Sequence, residues 1–474
     1  MLIFFICVGM LVIGYLIYGA FIDRMFGSDP SRQTPAVSME DGVDYVKMPP
    51  WKVFLIQLLN IAGLGPIFGP ILGALYGPVA LLWIVFGCIF AGAVHDYFSG
   101  MLSVRSGGES VPEIVGANLG TGFKQFMRGF SVLLLILVGI VFVLGPAGLL
   151  QNLTGWSTHI WVAIIFAYYF IATILPVDKI IGRIYPVFGA ILIFMAVGLI
   201  TMLMVKGYEF YPQRTLANIN PQQLPLWPLM FITIACGAVS GFHATQSPMM
   251  ARCLTNEKYG RASFYGAMIA EGIIALIWAT LAISFFRGPE ALNETLGNGG
   301  PAMVVNTVSV AMLGKFGGFL AIVGVVLLPI TSGDTAFRSA RLIIAETFKL
   351  SQKENLKRLY IAIPLFIIGF IISKSDFGLI WRYFGWANQT LACIMLWAAA
   401  AYLLRTGKIH WVATIPAVFL TAVVITFISF AKIGFNLPMP LSTTFGIGAA
   451  VVAFVLFYWK IGQIAAREKA SDSI

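Results

Sequence analysis

Charge is scarce in this chain. Asp, Glu, Lys and Arg supply 11% of its 474 residues, against 59% hydrophobic residues and a mean hydropathy of +0.89. That balance excludes a water-soluble domain and fits a polytopic membrane protein. Histidine is rarer: His95, His159, His243 and His410 stand far apart, and no HExxH run, Ser/His/Asp set or phosphate-cradling glycine loop occurs in a suitable context. An enzyme is therefore not expected. The five cysteines, Cys7, Cys88, Cys236, Cys253 and Cys393, lie in or beside apolar runs without paired spacing, so neither a disulfide framework nor a zinc site is indicated. No cofactor is expected. The net charge of +10 reads as basic membrane loops rather than a nucleic-acid footprint.

What is present is a series of apolar runs, two of them interrupted. Residues 227–252 (WPLMFITIACGAVSGFHATQSPMMAR) begin as an ordinary span and turn polar at 240–248, about halfway across, since roughly 20 apolar residues are needed to cross. Residues 51–76 repeat the design, with the interruption at Ala62, Gly63, Leu64, Gly65 and Pro66. Backbone released from a helix at membrane depth must be buried in protein or line a wet cavity. Two such spans in corresponding positions of two halves point to the binding site of a secondary transporter. Kinked helices packed on small residues are the plainer reading.

Taken in order, spans are expected over 2–22, 51–76, 78–98, 123–146, 158–175, 180–205 (carrying Pro186), 227–248, 262–286, 316–341, 359–372, 379–404, 411–431 and 441–461, thirteen in all. The first has neither a basic leader nor a cleavage site, so it should stay in the membrane. Short helices over 112–120 and 301–313 should not cross. With loops assigned to alternate sides, about 23 Lys and Arg fall on the side of the C-terminus and about six on the other, with Arg382 left over inside its span. The N-terminus is then outside and the C-terminus cytoplasmic. The two broken spans run in opposite directions, as an inverted repeat of five plus five helices over 51–205 and 227–404 requires. Residues 1–50 add a helix and a loop, 206–226 connect the repeats, and 405–474 add two peripheral helices and a tail.

The runs at 41–45 (DGVDY), 60–69 (NIAGLGPIFG), 90–98 (FAGAVHDYF), 235–252 (ACGAVSGFHATQSPMMAR) and 385–389 (GWANQ) closely resemble the carbon starvation protein A family. The resemblance implies a bacterial inner-membrane transporter with a LeuT-like arrangement, linked to uptake of peptides or pyruvate. The chain is shorter than the longer members, which carry further C-terminal spans.

Ionisable groups at membrane depth point to function by default. Thr331, Asp334, Thr335 and Arg338 fall at i, i+3, i+4 and i+7, one polar stripe on an apolar span. In a LeuT-like arrangement this is the eighth core helix, where Thr331 and Ser332, with Asp334 nearby, would face the carbonyls around Ala62 and Gly63 and hold sodium. The alternative is an Asp334–Arg338 pair one turn apart at the cytoplasmic mouth. Glu271 is isolated mid-span and suits either a proton carrier or an acceptor for backbone N–H groups freed at 240–243. His243 is either a structural residue or one that faces substrate. His95 with Asp96 ends a span near the cytoplasmic surface as a helix-end pair or gate. Asn388 and Gln389 are glue between helices or part of a gate.

Half-helices that start inside the membrane turn N–H groups and a positive dipole end toward the cavity, favouring a carboxylate. One should begin near Pro66 and the other near 246–248, placing Gly63, Gly65, Pro66, Ser240, Gly241, His243 and Gln246 around substrate. The amino group of a peptide would want Glu271. Without that use of Glu271 a small monocarboxylate fits better, with His243 or Gln246 on its keto oxygen. A channel would need conduction without coupling, and a sensor an output domain. The expected protein is an all-α importer of a small carboxylate-bearing nutrient, pyruvate favoured over peptide, in a lipid bilayer. It is coupled to H+ or Na+ through Ala62, Thr331, Ser332, Asp334 and Glu271.

Overall fold

The computed structural model describes residues 1–42, 44–174, 177–350, 352 and 354–471, with the side chains of 173–174, 177–186, 355 and 464–471 left aside. The span expected over 180–205 therefore falls partly outside the described residues, Pro186 included. Sixteen principal helices follow one another: α1 (Leu2–Phe26), α2 (Pro50–Ile61), α3 (Gly65–Tyr76), α4 (Val79–Arg105), α5 (Val111–Leu119), α6 (Thr121–Thr154), α7 (Thr158–Ile174) and α8 (Val177–Val205), then α9 (Leu229–Thr233), α10 (Gly241–Ala251), α11 (Glu257–Phe285), α12 (Pro289–Thr347), α13 (Asn355–Ile372), α14 (Phe377–Arg405), α15 (Trp411–Phe430) and α16 (Met439–Ser471). Among the described residues the β-structure is one isolated bridge, Met48 to Leu254. Among the described residues nine helices are long and apolar enough to cross a membrane, ten with the α2–α3 pair, which bends by 49°. The other expected spans are the shorter α7 and α13 and the interrupted α9–α10.

Burial sorts these helices into layers. The apolar window of α11 is 83% buried and that of α1 only 28%, so α11 lies at the centre and α1 turns most of its surface outward. Lipid replaces water as the outer solvent, and Leu2, Leu16 and Ile17 sit on the surface as readily as Leu276 sits inside. The helix α12 is interrupted by non-helical backbone at Gly299, Gly300 and Gly314, which separates the short helix expected over 301–313 from the span that follows. At nine residues α5 is too short to cross. Burial pushes the Glu113 carboxyl on α5 up, but hydrogen bonds from Lys124 and Arg128 of α6 outweigh this and hold it below the ordinary glutamate range.

The two breaks meet. A methyl group on Gly65, where α3 starts, would lie 2.2 Å from the Cys236 Cβ, so the close approach of the two chains requires glycine there. Opposite it, Gly237 has φ +87°, a left-handed conformation that places the unwound chain against Ala275 of α11.

Candidate functional site

The first break occupies 62–64, within the expected 62–66, and Gly65 and Pro66 open α3. Its geometry frees the Leu59 carbonyl. The Ala62 N–H bonds the Leu58 carbonyl (2.8 Å) and the Gly63 N–H turns back to Ile61 (2.9 Å), so Leu59 loses its helical donor. The Ser332 hydroxyl of α12 lies within hydrogen-bond distance of that carbonyl (3.1 Å) and of Leu328 in its own helix (3.0 Å). Ser332 thus faces the first break, but at Leu59 rather than at Ala62 or Gly63. Thr331 turns to its own helix, donating to Leu328 at 2.8 Å. Asp334 is buried and lies 3.6 Å from Arg338, which also donates to the Ala172 carbonyl. That is the intrahelical pair weighed against a cation position.

The second break differs from expectation in place. Residues 234–240 leave the helix, whereas 241–251, including Pro248, form α10, so the second half-helix begins at Gly241 and not near 246–248. Two features move the break upstream: glycine at 237 accepts the left-handed turn, and Asn388 of α14 caps the new helix. The Asn388 Oδ1 accepts from the Phe242 N–H at 2.7 Å and from the Ser240 hydroxyl at 3.2 Å. The polar run after 240 stays helical because its side chains face protein: His243, Gln246 and Ser247 are all fully buried. Gln389 bonds the Phe231 carbonyl on α9. Both candidates for interhelical glue therefore serve the second break.

Four ionisable side chains form a chain across α4, α10 and α11. The Nδ1 of His95 is 2.8 Å from one oxygen of Asp96, and the other oxygen is 2.9 Å from the Nδ1 of His243. The opposite ring nitrogen of His243, Nε2, lies 3.3 Å from Glu271, at ion-pair distance without hydrogen-bond alignment. All four are fully buried. His95 and Asp96 are not at a helix end near the surface: α4 continues to Arg105, because Ser99 and Ser103 return their hydroxyls to the carbonyls of Asp96 and Glu109 and leave no polar group exposed. Nor does Glu271 take up the N–H groups of 240–243. The Phe242 N–H goes to Asn388 and the His243 N–H to the Ser240 carbonyl, while Glu271 meets the His243 ring with the Gly237 N–H beside it. The acidic and imidazole groups are strung in a line, and among the described residues no group of three or more His, Cys, Asp or Glu could hold a metal ion.

Below this line the polar contacts continue from Ser99 to Ser247 (3.2 Å) and from Ser247 to Gln57 (3.4 Å). The end of the molecule beyond them, where the basic loops gather, is clasped. Arg105 reaches Glu257 (3.1 Å), the Gly27 carbonyl (2.7 Å) and the Tyr402 hydroxyl (3.0 Å), and Arg252, just after α10, pairs with Glu346 of α12 at 3.3 Å.

A helical membrane protein with two crossed breaks and buried ionisable groups between them has the form of a transporter, and the family model for carbon starvation protein CstA matches residues 1–145, 130–298 and 290–428. The chain belongs to the CstA family. A membrane protein of Haemophilus influenzae is 49% identical over 352 residues, covering 63% of this chain and 95% of that one. The peptide transporter CstA of Escherichia coli is 25% identical, covering 90% and 81%, and the pyruvate/proton symporter BtsT of the same organism is 29% identical, covering 57% and 47%. The structure of MhsT in complex with L-phenylalanine superposes with a TM-score of 0.55 at 14% identity, covering 87% and 98%. The fold is LeuT-like, and this CstA-family chain is a secondary transporter of the membrane.

Local sequence carried part of this site. His243 and Glu271 stood out as lone ionisable groups, and Asn388 as an intramembrane amide. The contact of Asp96 with His243, 147 positions apart, carried no local signal.

Proposed function

We propose that the chain imports a small carboxylate, pyruvate in preference to peptide, together with protons that are carried by the line His95, Asp96, His243 and Glu271. The observation that carries this reading is the line itself: four buried groups that exchange protons, touching the unwound backbone of the second break. Two carboxylates and two imidazoles within hydrogen-bond or ion-pair reach hold a variable number of protons at little structural cost, which is what a proton-coupled cycle needs. The substrate carboxylate is assigned to the first break. Among the described residues no backbone partner occupies the amides of Leu64 and Gly65, whereas the corresponding donor at the second break, Phe242, is held by Asn388. His243 and Gln246 remain the groups nearest the keto oxygen. Glu271 faces His243 at ion-pair distance, and among the described residues no other acid at the centre stands unopposed for the ammonium group of a peptide.

Sodium at Thr331 and Ser332 is the less favoured coupling, because the Thr331 hydroxyl turns to Leu328 of its own helix and the Asp334 carboxylate is paired with the Arg338 guanidinium. We further assign the repeats to 51–205 and 227–404 and place the protein in a bacterial inner membrane with the basic-loop end cytoplasmic, on the loop-charge bias. The names of the CstA relatives favour peptide as the second reading. The deciding measurement is uptake of labelled pyruvate and of a labelled dipeptide into proteoliposomes under separately imposed proton and sodium gradients. Pyruvate uptake driven by the proton gradient and indifferent to sodium is expected; uptake driven by sodium alone, or of the dipeptide alone, rejects the reading.

A further inference from the structure

At the end of the molecule opposite the Arg105 and Arg252 clasps lies a cavity of about 830 Å³. It is bounded by the end of α3, by Leu229, Ile232 and Thr233 of α9, by the start of α14 and by the end of α15, so two of its walls are the helix halves at the breaks. Two of its α9 residues, Ile232 and Thr233, directly precede the unwound segment that starts at 234.

The charge in this cavity is of one sign. Arg382 and Lys432 line it, both exposed, and neither has an ion-pair or hydrogen-bond partner among the described residues. No Asp or Glu is in the lining. The acid nearest in sequence, Asp376, is used otherwise: its carboxylate caps α14 by accepting the Leu379 N–H at 2.8 Å. Elsewhere in the protein, buried and half-buried arginines at loop ends are paired, as Arg105, Arg128 and Arg252 show. An arginine with its planar fork of donors and a lysine, both unopposed beside low-dielectric walls, focus a positive potential into a cleft. The buried Nδ2 of Asn220, which has no hydrogen-bond partner, adds a neutral donor, while the Gln222 amide donates to Asn293 at 3.1 Å.

We propose that this cavity is an outer anion site, in which Arg382 and Lys432 collect a small carboxylate before it descends past Thr233 to the breaks. The proposal rests on the carboxylate reading above and adds to it a capture step and two residues that set selectivity for anions. Anionic lipid headgroups share the same chemistry, and the experiment separates the two sources.

The probe is Gln222→Cys in the full chain, reconstituted and labelled with a membrane-impermeant maleimide; the five native cysteines are all buried. Pyruvate in the external buffer, with no gradient imposed, is expected to slow labelling in vesicles of purely zwitterionic lipid. That protection should disappear in Gln222→Cys combined with Arg382→Gln and Lys432→Gln, and should persist with Arg382→Lys and Lys432→Arg. In the otherwise unmodified protein, Arg382→Gln with Lys432→Gln should raise the KM for pyruvate by about fivefold, flatten its dependence on ionic strength and leave the maximal rate within about twofold. Protection that survives loss of both cations, an unchanged KM with the salt dependence retained, or a labelling rate that responds to anionic lipid and not to pyruvate each overturns the proposal. Because protection is read without a gradient, a failure of proton coupling alone leaves it intact, and a failure of this site leaves coupled uptake intact.

Discussion

At the first break the chain presents to its surroundings backbone and small or apolar side chains: Ala62, Gly63, Leu64, Gly65, Pro66. The Leu59 carbonyl that it frees is met by a neutral hydroxyl, Ser332. At the second break the freed backbone is met by an amide, Asn388, and the helix that follows carries His243 into contact with Asp96 and Glu271. The second break pairs its Phe242 donor within the protein, whereas among the described residues the first leaves the amides of Leu64 and Gly65 without a backbone partner. The difference assigns them different work. A site of bare backbone donors suits a bound carboxylate, and a site of titratable side chains suits a moving proton. Coupling between the two then needs no long path, because the breaks touch at Gly65 and Cys236.

The largest effect should come from removing titratable groups at the second break alone. Asp96→Asn and Glu271→Gln are each expected to lower gradient-driven uptake by about two orders of magnitude, while counterflow exchange of labelled for unlabelled substrate at equal pH survives, since binding at the first break is untouched. If exchange and driven uptake fell together, the division of labour between the breaks would be wrong.

The next effect tests their contact. Gly65→Ala forces its new methyl against the Cys236 Cβ and Sγ, at 2.2 and 2.3 Å, with the Cys236 Cα at an ordinary 3.7 Å. Overpacking of this kind costs about 1–3 kcal/mol. Thermal unfolding in detergent should show that loss, and Cys236→Gly in the same chain should recover most of it, a coupling readable as a double-mutant cycle. Equal losses with and without the second change would mean that the two breaks do not press on each other.

The smallest effect compares the two caps. Asn388→Ala leaves the Phe242 N–H and the Ser240 hydroxyl without their acceptor, at a cost of about 1–3 kcal/mol, whereas Ser332→Ala removes a single bond to Leu59, worth about 1 kcal/mol. Unfolding midpoints should rank them in that order. The reverse order would show that the first break, not the second, depends more on its side-chain partner.

Much of the fold was legible in the residues. Runs of about 20 apolar residues must be helices in a bilayer, because only an internally bonded backbone survives there, and Gly63, Gly65 and Pro66 mark a place where such a helix cannot continue. The first break therefore fell where composition placed it. The second did not, because polarity was taken for unwinding: 241–248 is polar yet helical, with His243, Gln246 and Ser247 buried in protein, while the stretch at 234–240 is the one that unwinds around Gly237. For the same reason His95 and Asp96 read as the end of a span when they lie deep in one.

By itself, the sequence determined which segments are apolar enough to span, where glycine and proline make helix interruption cheap, and which few residues carry charge at depth, since these depend on local chemistry. Only the tertiary structure decided which of those residues meet. Asp96, His243 and Glu271 lie on three helices whose rotations are set by packing along their whole lengths, and Asn388 reaches Phe242 across 146 positions. A helix turns by about 100° per residue, so a site built between helices depends on angles and offsets that no single segment contains.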